Sequence, residues 1–251
     1  MLAFLLKPKW IALTLIAILL QPAFWELSQW QMRRLHERQA HNLAVTTNEN
    51  LDPVAAEEIL STGNAQNSFD PSYEWRIVDV VGKWIPEEQV LVRKQSYESN
   101  LGFLVVTPFK STSGLVVLVN RGWVPASGSA KESPAVSSPP SGLTEILGRI
   151  RIAADRTEPE PNDLPIGQVD RIVPSEVLAG EDYVSNAYLE LTQSIPDSRG
   201  ADLQPILEPE ISEGPHRSYA IQWVLFAILT LIGWGILVRK ELQELNKSGT
   251  N

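Results

Sequence analysis

The chain of 251 residues contains no cysteine, only two methionines and three histidines. The absent cysteine excludes a disulfide scaffold, a thiolate metal site and a cysteine nucleophile. Positive charge is also scarce. Residues 40–217 carry 13 Lys/Arg against 26 Asp/Glu, a net of −13. Such a surface is a poor partner for a phosphate backbone, and no nucleic-acid binding is expected. The same acidity keeps it off an anionic inner leaflet. No G-x-S-x-G elbow and no phosphate-cradling glycine loop is present. His36-Glu37 is followed by His41, five positions after His36. The zinc-protease helix motif needs a spacing of four to bring both rings to one side, so these are read as solvated polar residues. The acids are scattered, and nothing marks a glycosidase pair.

What the chain does have is two apolar segments, one near each end. Residues 218–238 hold 21 residues without a charge. At about 1.5 Å per residue this helix crosses roughly 30 Å, the thickness of a bilayer core. Trp223 and Trp234 lie near its ends, and Arg239 and Lys240 close it. The first segment runs from Trp10 to about Trp30. Lys7 and Lys9 precede it, and Arg33, Arg34 and Arg38 follow. Read as a signal peptide it would need a small-x-small cleavage site. Gln21-Pro22-Ala23 matches poorly, and the bulky Phe24 and Trp25 follow. The segment is therefore read as an uncleaved anchor. Pro22 kinks that helix unless a neighbour satisfies the freed carbonyl.

Two spans place both termini on one side. Lys7, Lys9, Arg239, Lys240 and Lys247 lie on the tails, and Arg33, Arg34, Arg38 and Arg217 on the loop. The balance weakly favours cytoplasmic tails and an exported loop. The expected organisation is a tail over 1–9, a span over 10–30, an extracytoplasmic β-rich domain over 31–214, a span over 215–238 and a tail over 239–251.

The middle stretch is the size of one domain. Trp75–Val81, Val90–Val92, Leu101–Phe109, Leu115–Val119, Leu143–Ile152 and Ala187–Thr192 read as strands. Lys110–Gly114 reads as a hairpin loop. Arg149 and Arg151 fall on the face opposite Ile150 and Ile152. Asp52-Pro53 before Val54–Leu60 predicts a short helix, and residues 174–179 a helical turn. Residues 126–142, rich in Ser, Pro, Gly and Ala, read as a flexible loop, and 155–167 as another. The fold class is a membrane protein in which two transmembrane helices flank one mostly antiparallel β (α+β) domain.

Three places carry candidate chemistry. His216 stands two residues before the second apolar run. Its imidazole is either an iron ligand with a porphyrin laid against apolar helix faces, or an interfacial group bonded to water and head groups. Glu26 is a carboxylate at the rim of the first span, either functional or reaching water. Asn120-Arg121-Gly122-Trp123-Val124-Pro125 follows an apolar strand. It reads equally as a recognition corner at Arg121 and Trp123 or as a packed strand end with a cation–π contact.

Four blocks then agree with one family. They are Trp30–Arg38; Glu74-Trp75-Arg76 with Val80-Val81-Gly82 and Val90–Arg93; Gly102–Pro108 with Val117–Pro125; and Glu213–Trp223. With their order and spacing, the chain resembles the surfeit-locus family of cytochrome c oxidase assembly factors, in its actinobacterial form. The resemblance implies a two-span plasma-membrane protein, with both termini cytoplasmic, that assists biogenesis of haem–copper oxidases. Some members are thought to pass haem a to the catalytic subunit. It makes His216 the leading haem-ligand candidate, with Tyr219 and Trp223 flanking a porphyrin at i+3 and i+7. Arg217 stands where many members carry an apolar residue, and it either meets a haem propionate or sits among head groups. The implied partners are the oxidase catalytic subunit, a haem a synthesis enzyme and membrane lipid. A chaperone is expected rather than an enzyme, with haem iron the only metal. A haem-free scaffold working through Arg121 and Trp123 is the alternative, and a membrane-anchored enzyme or sensor a further one.

Overall fold

The fold is taken from a computed structural model that describes residues 3–62, 69–128, 132–154, 164–178 and 182–248. It divides into two compact units. One holds residues 1–43 and 211–251, the other 44–210.

The first unit is a helical hairpin. After a 3₁₀ turn at Ala3–Leu6, helix α1 runs from Pro8 to Glu49, 42 residues, with Pro22 inside it. At about 1.5 Å per residue it is roughly twice as long as a bilayer core is thick. The segment after Trp30 was expected to open the domain. It continues the helix instead, because Leu35, Glu37, Arg38, Gln39 and Ala40 are all good helix formers. The last helix of the chain, His216–Ser248, spans 33 residues. Both are long and apolar enough to cross a membrane.

These two helices meet in antiparallel register. Ser28 Oγ donates to the Ala220 carbonyl at 3.1 Å. Phe24 stacks on Trp223 with ring centres 6.0 Å apart. Trp234 Nε1 donates to Thr14 Oγ1 at 3.0 Å. Each step down one helix is matched by a step up the other. Small residues at Ser28 and Ala220 permit this close approach, which drives association where lipid gives no hydrophobic advantage.

The second unit is built on strands β1 (Val54–Ala55), β2 (Ile77–Trp84), β3 (Val90–Tyr97), β4 (Asn100–Ser111), β5 (Val116–Pro125), β6 (Thr144–Ile152), β7 (Gln168–Val169) and β8 (Ala187–Ile195). A one-turn helix, α2 (Pro174–Val177), precedes β8, so the hairpin's second helix is α3. Five strands close on themselves in the order β2-β4-β5-β8-β6-β2. All pairs are antiparallel except β5 with β8. This is a five-stranded Greek-key barrel with the connectivity of an OB-fold. Strand β2 makes the closure: Ile77–Gly82 pair with β6, and Gly82–Trp84 with β4. Gly82 sits at the switch, where a Cβ would collide with the Lys110 carbonyl oxygen.

The six strands expected from the sequence are all present. The expected helix over Val54–Leu60 is not. Val54 and Ala55 pair in parallel with Val78 and Asp79, and only Ala56–Glu58 turn, as a 3₁₀ helix. Burial of Ala56 and Leu60 in the barrel core overrides the helix-start signal of Asp52-Pro53. Inside the barrel, Val78, Val80, Trp84, Phe109, Val117, Val119, Ile146, Ile150 and Leu189 pack together. Leu118, on the other face of β5, joins a second cluster with Val92, Val106 and Ile172. The helical turn anticipated at 174–179 is α2, although residue 179 lies outside the described residues. Of the two expected loops, 129–131 and 155–163 also lie outside them. The described part of 126–142 has no strand or helix, but Ser137 N donates to Asp202 Oδ2 at 2.8 Å.

Candidate functional site

In the hairpin unit, His216 is the first residue of α3. Pro215 precedes it, and Gly214, with φ +65°, turns the chain into the helix. The His216 ring is half-buried, with Nδ1 2.8 Å from Oε1 of Gln31 on α1. Gln31 is only 8% exposed. His216 Nε2 has no hydrogen-bond partner among the described residues. Tyr219, one turn on, is 47% exposed, and Arg217 is exposed. Trp223 is half-buried against Phe24, and edge-on to Phe226 at 5.7 Å. The structure thus brings His216 and Trp223 to the helix–helix seam and leaves Tyr219 and Arg217 at its margin.

The donor set suits a haem. One imidazole nitrogen is anchored and the other is unused. An exposed phenol and an indole stand at i+3 and i+7 of the same helix, and an exposed guanidinium is at hand for a carboxylate. Glu26 pairs with Arg33 at 2.7 Å, both side chains being more than half exposed. His36 and His41 join no metal cluster, since no group of three or more His, Asp or Glu placed to hold a metal ion occurs among the described residues.

In the barrel unit, Arg121 and Trp123 are not presented at the surface. Val105 pairs with Gly122 and Val106 with Asn120, so Arg121 is the extra residue of a β-bulge. Its side chain is fully buried. Nε donates to the Ser198 carbonyl at 2.8 Å, Nη1 to Gln89 Oε1 at 3.0 Å and Nη2 to the Ser137 carbonyl at 3.0 Å. Burial lowers its pKa to about 10, against the opposing pull of Asp202 and Asp197. The cation–π partner is Trp84, 5.8 Å away. Trp123 is 5% exposed, stacks on Tyr97 at 5.2 Å and donates to the Gln95 carbonyl. Gly122, with φ +147°, lets the Gln204 carbonyl approach where a Cβ would collide. Trp123 and Gln204 bond backbone to backbone there.

A second polar group escaped sequence reasoning. Arg149 contacts Glu49 (2.5 Å), Glu190 (3.3 Å) and Glu208 (2.9 Å). Arg151 contacts Glu190 at 2.7 Å and Glu74 at 3.3 Å, and lies 3.8 Å over the Trp75 ring. The Arg149 and Arg151 side chains do project from the face opposite Ile150, as their alternation predicts. Their four carboxylates come from distant parts of the chain, with no local signal. Burial works to lower the Arg151 pKa, but Glu190, Tyr188 and Glu74 outweigh it, and the net shift is upward. Every cation here is matched, so the cluster serves structure. Gln31, Ser28 and Phe24 were equally hidden. Their signal would have been the antiparallel register of two spans.

Two helices long and apolar enough to cross a membrane flank an acidic β-barrel in the sequence, and the second begins at a histidine anchored through Nδ1, an architecture that fits a two-span membrane protein. The SURF1 family model matches residues 18–228. The chain belongs to the SURF1 family, known generally as a family of oxidase assembly factors. An uncharacterised SURF1-like protein of Mycobacterium bovis is 32% identical over 247 residues, covering 96% of this chain and 88% of its own. A Mycobacterium tuberculosis counterpart matches equally. A SURF1-like protein of Rickettsia prowazekii is 26% identical over 121 residues, 47% of this chain and 43% of its own.

Proposed function

We propose that this protein assists assembly of a haem–copper cytochrome c oxidase by holding haem a transiently at the start of α3 and yielding it to the catalytic subunit. The observation that carries this reading is the His216 ring, held at Nδ1 and, among the described residues, unpartnered at Nε2. In this reading Nε2 binds the iron. Tyr219 and Trp223 lend aromatic faces, and the Arg217 guanidinium meets a propionate. A site beside apolar helix faces suits an apolar cargo, and a single protein ligand favours release over permanent retention. No step of bond-breaking is required of the chain, so the role is that of a chaperone rather than an enzyme. The domain lies outside the cytoplasm and both tails inside, in keeping with the excess of Lys and Arg on the tails. The partners are the oxidase catalytic subunit and the enzyme that completes haem a.

In cells carrying His216→Ala, expressed at the native level, oxidase haem a content and activity fall together. Unchanged haem content and activity would reject the haem role and leave a haem-free scaffold as the account.

A further inference from the structure

Resting on that reading of His216, we propose that Gln31 is its positioning residue, which fixes the imidazole as the Nδ1–H tautomer and turns the Nε2 lone pair outward for iron. A neutral imidazole carries one N–H and one lone pair, and its tautomer follows from what each nitrogen meets. The Gln31 atom facing Nδ1 is Oε1, at 2.8 Å. A carbonyl oxygen only accepts, so Nδ1 must hold the proton. Nε2 is then the basic nitrogen, the one form of a neutral histidine that binds a metal through that atom.

The bond joins residues 185 positions apart, on the two different spans. It therefore exists only when the hairpin is in register, with Ser28 on Ala220 and Phe24 on Trp223. Gln31 is nearly buried, so water competes weakly for its oxygen. The other edge of the ring lies beside Gly214, where a Cβ would come into ordinary van der Waals contact, 3.4 Å from both Cδ2 and Nε2. Outer hydrogen bonds of this kind orient metal-binding histidines and raise their basicity, and losing one typically costs 10–100-fold in metal affinity.

The test uses the full chain in detergent, labelled with ¹⁵N-histidine and prepared without haem, at a pH where the ring is neutral. With three histidines in the chain, subtracting the His216→Ala spectrum isolates the ring. The native protein should show a protonated Nδ1 and a bare Nε2. Gln31→Leu should lose that preference, and Gln31→Glu, which still offers an acceptor, should keep it. On adding haem a, Gln31→Leu should bind about 10–100-fold more weakly. Gln31→Glu should bind near the native level with a lower iron reduction potential. A native ring protonated at Nε2, or a Nδ1–H tautomer that survives Gln31→Leu, overturns the proposal whether or not haem binds. A Nδ1–H ring lost in Gln31→Leu, in a protein that takes up no haem a, upholds the positioning role and rejects the haem reading alone.

Discussion

The Arg121 guanidinium lies 5.8 Å from the centre of the Trp84 ring, both side chains sealed within the barrel unit. Trp84 in turn packs edge-on to Phe109 at 4.8 Å and donates to Ser198 Oγ at 3.1 Å. Arg121 thus ties three segments, at Gln89, Ser137 and Ser198, to one bulge of β5. Removing the guanidinium takes this donor from the buried Ser198 carbonyl and the part-buried Ser137 carbonyl, while Gln89 Oε1 keeps Thr107 Oγ1 at 2.9 Å. Arg121→Met should lower stability by about 2–4 kcal/mol, and Arg121→Lys by a comparable amount, since an ammonium cannot span the same fork. Trp fluorescence during denaturant unfolding of the full chain measures both.

The carboxylates around Arg149 and Arg151 should differ sharply in weight. Glu190 is 8% exposed and bridges both arginines, whereas Glu208 is 84% exposed. Glu190→Gln leaves two part-buried cations underpaired and should cost about 3 kcal/mol. Glu208→Ala should cost at most about 0.5 kcal/mol, because an exposed ion pair is worth little. Equal effects in thermal unfolding would mean that burial does not govern this cluster.

Gly82 should be intolerant of any side chain. A Cβ there meets the Lys110 carbonyl oxygen and the Phe109 ring at the point where β2 passes from β6 to β4. Gly82→Ala should open the β2–β4 seam and cost about 3 kcal/mol or more by overpacking against backbone. Faster hydrogen exchange at Lys83 and Lys110, relative to β5 and β8, would locate the damage.

Asp202 should shape the acid limb of stability. Its carboxyl sits below its ordinary range, chiefly through hydrogen bonding by Ser137, with burial opposing and Arg121 assisting. A carboxyl lowered on folding contributes stability that is fully present above its unfolded pKa. That contribution is lost as pH falls through the folded value. Asp202→Asn should therefore flatten the decline in melting temperature below about pH 4 and leave the neutral-to-alkaline limb parallel to the native one. An unchanged acid slope would remove Asp202 from this account.

Strand positions were legible wherever apolar and polar residues alternate, as in β2, β6 and β8. The apolar runs of β4 and β5 were equally clear. The two-residue strands β1 and β7 were not, for a pair of residues has no period to read. Val54–Leu60 misled because a local start signal lost to burial of Ala56 and Leu60 against the barrel. The charged continuation of α1 past Trp30 looked like the start of a domain, since charge marks the end of a span but not of a helix. His216 was legible by its place before an apolar run. Its partner Gln31 lies within Trp30–Arg38 but has no chemistry of its own until the two spans are side by side. Arg121 was visible as a charge at a strand end. Nothing in its neighbours says that Gln89, Ser137 and Ser198 converge to bury it.

The account turns on whether His216 holds haem a. The most direct measurement is the optical spectrum of the detergent-purified protein, made in a host that synthesises haem a, beside its His216→Ala variant. The account predicts a haem a spectrum in the native protein that is lost in the variant, with both folded to the same extent. A colourless native protein that still co-purifies with an oxidase subunit would contradict it and make the protein a scaffold that works without haem.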